Sequence, residues 1–174
     1  MIQPTHSSNR ILLPVRGWFI FLTLFVALFL NMIPVPRLPG LPDFVALTLA
    51  FWCVREPFKV GMGAAFLLGI AMDVANASVM GQHSLAYVLL GFAASGLSRR
   101  ILWFPLSQQA LHILPLLLGA QLVMLATRMI GGAEFPGVLY FFSSLAASLL
   151  WYPLTYLLLL PQFQSMEKDD NRPI

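Results

Sequence analysis

Apolar residues fill this chain in long blocks, cut by short polar or proline-rich interruptions. The runs give candidate spans near 17–34, 42–55, 58–75, 83–98, 109–130 and 137–160. The second is short: about 14 residues at ~1.5 Å each reach roughly 21 Å against a hydrocarbon core of about 30 Å. It is expected to be a half-span or to lie in thinned bilayer. The predicted fold class is an all-α membrane protein, a bundle of about six transmembrane helices. One helical domain would cover 17–161, flanked by an N-terminal tail, 1–16, and a polar, disordered tail, 162–174.

Charge placement orients these spans, because Lys and Arg concentrate in the cytoplasmic loops near span ends. Six spans with the N-terminus inside put Arg10, Arg16, Arg55, Lys59, Arg99, Arg100, Lys168 and Arg172 inside, and only Arg37 and Arg128 outside. Dropping the short span leaves five crossings with a poorer split and puts Arg10 and Arg16 on the wrong side. The expected location is therefore a cytoplasmic membrane, with multiple crossings and both termini cytoplasmic.

Turn chemistry agrees with that layout. Four prolines between Pro34 and Pro42 cannot continue a helix and predict an extended outer loop. Asp43 follows the last of them and is placed to favour the positive end of a helix dipole.

Composition narrows the function classes. The 174 residues are 59% apolar and 10% charged, far below the roughly 25% charged fraction of soluble domains. The net charge of +3 is scattered between apolar runs, so it forms no nucleic-acid patch. Cys53 is the sole cysteine, which excludes an intrachain disulfide or a cysteine metal site. Arg10 and Arg16 before an apolar stretch look like a secretory leader, but no small-x-small site follows, so the segment is kept as an uncleaved first span.

Candidate chemistry is sparse. His6, His83 and His112 lie apart from one another at no metal-ligand spacing. No Ser, His and acid spacing suggests a nucleophile, and Gly61-Met62-Gly63 lacks the rest of a phosphate loop. Neither catalytic residues, cofactors nor metals are expected.

The third span carries more information, because Gly61, Ala65, Gly69 and Asp73 recur every four residues along one helical stripe. Small residues allow close backbone approach between helices in lipid. Gly81 and Gly91 are further packing or partner-binding candidates, Gly91 together with Ser95, and Ser144 repeats the pattern with Ser148. The stripe serves either the chain's own packing or a partner helix. An acid near the membrane boundary needs water, a helix end or a partner, so Asp73 joins Arg37, Asp43 and Arg128 in a candidate outer-face polar cluster, with Glu134 and His83 nearby. That cluster either ties helix ends together or holds a ligand.

Leu41-Pro42-Asp43-Phe44-Val45-Ala46-Leu47, Phe51-Trp52, Glu56-Pro57, the run from Gly61 to Asp73, and Met80-Gly81 with Leu85-Ala86-Tyr87 resemble the MreD family of rod shape-determining proteins. Length, layout and the proline-rich loop extend the likeness over most of the chain, and its specific part covers 34–90. The family's Arg-Pro pattern is altered here, since Leu38 separates Arg37 from Pro39, so no specific role for Arg37 carries over. The resemblance implies a non-enzymatic subunit of the bacterial cell-elongation machinery for lateral peptidoglycan synthesis. Its implied partners are MreC, the actin homologue MreB, the RodA glycosyltransferase and its penicillin-binding transpeptidase. It also implies a fold similar to the substrate-binding membrane subunits of energy-coupling-factor transporters, with a pocket near the outer face. The competing function is a small-molecule-binding or transport subunit that uses such a pocket.

Overall fold

The computed structural model describes residues 10–12, 15–33 and 40–165. Six helices follow in chain order: α1 (Gly17–Met32), α2 (Phe44–Arg55), α3 (Met62–Ala75), α4 (Gln82–Trp103), α5 (Leu106–Ile130) and α6 (Phe142–Leu159). A 3-10 turn, Val138–Phe141, leads directly into α6. Among the described residues, three helical segments are long and apolar enough to cross a membrane: α4, α5 and the continuous Val138–Leu159.

The other three helices are shorter, with 16 residues in α1, 12 in α2 and 14 in α3. Burial explains how the shortest of them is accommodated. Every residue of α2 from Val45 to Val54 is buried, Thr48 included, so this helix of about 18 Å is wrapped by protein and does not have to match the bilayer thickness. A backbone whose hydrogen bonds are made internally and whose surroundings are protein is tolerated at any membrane depth. The doubtful second span is thus the core helix of the bundle.

Aromatic rings tie α2 to its neighbours. Phe19 of α1 meets Trp52 edge-on at 6.0 Å, Trp52 meets Phe51 at 5.0 Å, and Phe51 meets Trp151 of α6 at 5.8 Å. Buried indole N–H groups need partners, and Trp52 Nε1 donates to Thr23 Oγ1 on α1 at 2.8 Å. Between the last two helices Ser148 Oγ of α6 donates to the Ala110 carbonyl of α5 at 2.8 Å.

The exterior is apolar to a degree that water would not tolerate. Trp18, Phe21, Phe25 and Phe29 stand exposed along α1, as do Leu149 and Leu157 on α6. The chain is a membrane protein.

Three boundaries differ from the sequence expectation. The fourth span was expected to end at 98, yet α4 runs through Arg99 and Arg100 to Trp103, because arginine is a good helix former that reaches water along its stem. The fifth helix begins at Leu106, not at 109. The third starts at Met62, not at 58, because Glu56 to Val60 fold into a tight turn in which the Lys59 and Val60 amides donate to the Glu56 carbonyl. The C-terminal tail was expected to lack order, but Phe163–Ser165 pairs antiparallel with Arg10–Leu12. That short strand pair is the one departure from helix among the regular elements of the described residues, and it brings the segment before α1 beside the segment after α6.

Candidate functional site

One end of the bundle gathers the C-terminal ends of α1, α3 and α5 and the N-terminal ends of α2, α4 and α6. Asp73 sits in the last turn of α3 and is 2% exposed. Its Oδ1 accepts from Ser78 Oγ at 2.9 Å, His83 N at 2.9 Å and His83 Nδ1 at 2.8 Å. Its Oδ2 accepts from Gly81 N at 2.9 Å and Ser84 Oγ at 3.2 Å. The first N–H groups of a helix have no partner inside it, and the N-cap of α4 is Gly81, which has no side chain to serve them. Asp73 serves instead, as a carboxylate reaching from α3 to cap α4 where the dipole favours negative charge.

Asp43 does the same for its own helix. Its Oδ1 accepts from Ala46 N at 3.0 Å and from Asn31 Nδ2 at 2.8 Å, while Asn31 Oδ1 accepts the Phe44 amide at 3.1 Å. Asn31 therefore ties the end of α1 to the start of α2. Tyr87 Oη, on a fully buried side chain of α4, donates to Asp43 Oδ2 at 2.8 Å. Across the bundle Gln121 Nε2 of α5 donates to the Tyr140 carbonyl at 2.6 Å, and Ser144 Oγ donates to Gln121 Oε1.

The small-residue candidates occupy different situations. A β-carbon on Gly69 would lie 2.2 Å from Ser84 Cα and 2.5 Å from Ser84 N, and one on Gly91 would meet Cys53 Sγ at 3.5 Å and Ala65 Cβ at 3.7 Å. Gly69, Gly91 and the buried Ala65 thus lie in the chain's own α2, α3 and α4 contact. Gly61 is exposed, with nothing within 4 Å of such a β-carbon. Gly81 also has open space, but its φ of +96° is a left-handed conformation that glycine adopts at low cost.

Of the polar candidates, Asp43 and Asp73 come together around Tyr87 and His83. Arg128 lies exposed in the last turn of α5, within electrostatic range of Tyr140, and makes no salt bridge among the described residues. Glu134 is exposed in the following loop. Arg37 lies outside the described residues.

A cavity of about 150 Å³ opens beside this network, between α2, α4, α5 and α6. Asp43, His83, Gln121, Tyr140, Ser143 and Ser144 supply its polar wall, with Leu117, Met124 and Ala147 among its apolar residues. Neither Asp73 nor Arg128 lines it. Among the described residues no group of three or more His, Cys, Asp and Glu could hold a metal ion.

The profile of the rod shape-determining protein MreD matches residues 10–160. The chain belongs to the MreD family. The rod shape-determining protein MreD of Haemophilus influenzae is 35% identical over 74 residues, covering 41% of this chain. The match spans 46% of that relative's own length. No solved structure matches the chain.

In this MreD family member, sequence reading missed Asn31, Gln121, Tyr140 and Ser143. Asn31 in an apolar run beside the proline-rich loop was a usable signal, since a buried amide needs partners. Tyr140 and Ser143 show their role only once α5 and α6 are placed side by side.

Proposed function

We propose that the chain is a non-enzymatic membrane scaffold of the cell-elongation complex, needed for rod shape and lateral peptidoglycan synthesis. The family match over residues 10–160 carries this reading. The fate of the polar groups supports it: both carboxylates that could have served chemistry are engaged in closing helix ends. What remains on the outside is apolar helix surface, suited to van der Waals association with other membrane helices. MreC, MreB, RodA and its penicillin-binding transpeptidase are the partners we assign to it.

We further propose that the end bearing Asp43 and Asp73 faces outward. The opposite end carries Arg16, Arg55, Lys59, Arg99 and Arg100, and basic residues mark the cytoplasmic side. The pairing of Arg10–Leu12 with Phe163–Ser165 supports an even number of crossings, with both termini in the cytoplasm and the helical domain 17–161 between them. The membrane is then the bacterial cytoplasmic membrane.

Depletion of the chain in its rod-shaped host, followed by cell-width microscopy, tests the role. Cells are expected to widen and round, and to recover when the wild-type chain is restored. Cells that keep their width after the protein has disappeared would refute it.

A further inference from the structure

The two acceptor groups on the wall of the 150 Å³ cavity differ from the acid beside it in one respect, which is spare capacity. A carboxylate offers about four lone-pair sites. Asp73 receives five hydrogen bonds at 3.2 Å or less and has none left. Asp43 receives two at Oδ1 and one, from Tyr87, at Oδ2, so one site at Oδ2 remains. His83 is 9% exposed and lines the cavity. Its Nδ1 faces the Asp73 carboxylate at 2.8 Å, which places a proton on Nδ1, and in that tautomer Nε2 is the acceptor. Among the described residues Nε2 has no hydrogen-bond partner, and neither do the hydroxyls of Tyr140 and Ser143 on the same wall.

The lining therefore offers one formal negative charge, an unpartnered imidazole nitrogen and two hydroxyls able to accept. An anion would meet the Asp43 carboxylate, and an apolar guest would leave these groups unsatisfied at a cost of desolvation. A hydrogen-bond-donating cation matches all of them. A volume near 150 Å³ holds a guest about the size of benzene, which suits a primary ammonium on a short stem.

We propose that this cavity binds a primary ammonium group, with Asp43 Oδ2 and His83 Nε2 as its acceptors and Tyr140 and Ser143 completing the shell. The ammonium belongs to a free small amine or to the ethanolamine headgroup of a membrane lipid. The site stands independently of the scaffold role, because its test is made on isolated protein and reads no cell shape.

The test is thermal unfolding of the full-length protein in neutral detergent, followed by tryptophan fluorescence. Additives are methylammonium, ethanolamine, choline, phosphatidylethanolamine and phosphatidylglycerol. A ligand at ten times its Kd should raise the midpoint by about 3 °C. A rise with methylammonium and ethanolamine identifies a free amine, and a rise with phosphatidylethanolamine alone identifies the lipid headgroup; both support the site. Choline, which has no N–H to donate, should give no rise. Ser143→Leu, which fills the cavity, should abolish the effect, and Tyr140→Phe should weaken the apparent affinity several-fold with the ligand-free midpoint unchanged. If Ser143→Leu fails to accumulate, Tyr140→Phe decides the matter. No rise with any amine or with phosphatidylethanolamine over phosphatidylglycerol, an equal rise with choline, or unchanged binding in these variants overturns the proposal.

Discussion

Gly69 of α3 lies so close to Ser84 of α4 that a β-carbon on the glycine would sit 2.2 Å from the serine Cα. The obstacle is backbone, so no rotamer change relieves it. Gly69→Ala must part the two helices, and with them the Asp73 contacts one turn further along. Overpacking of this kind costs about 1–3 kcal/mol or more. The expected result is a clear fall in unfolding temperature and in membrane level for Gly69→Ala, with little change for Gly61→Ala, where the same methyl meets open space.

Asp73→Asn is expected to destabilise strongly. Either orientation of the amide turns its NH₂ toward donors, namely Ser78 Oγ and His83 N and Nδ1 on one side, or Gly81 N and Ser84 Oγ on the other. Hydrogen bonds to a charged group contribute more than neutral ones, and an unsatisfied buried donor carries its full desolvation cost. We expect a loss of about 3 kcal/mol, read as a lowered unfolding midpoint. An unchanged midpoint would remove the capping role.

Thr23→Val keeps the side-chain shape but withdraws the acceptor that holds Trp52 Nε1 at 2.8 Å. The indole N–H is then unpaired in the core, at about 1–3 kcal/mol. The double variant Thr23→Val with Trp52→Phe should cost less than the two single losses added together, since the stranded donor is gone. Additive losses would show that the bond contributes nothing specific.

Gly81→Ala tests conformation separately from packing. The methyl meets nothing within 4 Å, so the whole penalty is the left-handed φ of +96°, about 1–2 kcal/mol. Gly81→Asn should cost less, because asparagine visits that region more readily. Equal stability of all three would mean that the turn before α4 is not held in this conformation.

Much of this architecture is legible in the residue pattern, and the exceptions share a cause. The apolar blocks, the close approach at Gly69 and the special standing of Asp73 follow from spacing and from the cost of a charge near lipid. Hydropathy cannot separate a helix wrapped in protein from one bathed in lipid, because both are apolar, and so the buried centre at α2 read only as a span too short for its task. Arg99-Arg100 looked like a span end, although the helix carries both arginines onward for another turn. The resemblance implied a pocket near the outer face but not its lining, which joins Asp43 and His83 to Tyr140 and Ser143, residues brought together only by the packing of four helices. Gly81 resembled a packing glycine because sequence records the absence of a side chain, not the backbone angle that requires it.

The scaffold account stands most directly on which proteins the chain holds. The measurement is affinity purification of the full chain from native membranes in mild detergent, with co-purifying proteins quantified by mass spectrometry against an unrelated membrane bait. The account predicts strong enrichment of MreC, RodA and the penicillin-binding transpeptidase with the wild-type chain. Recovery of the folded chain with none of them above the control level would contradict it.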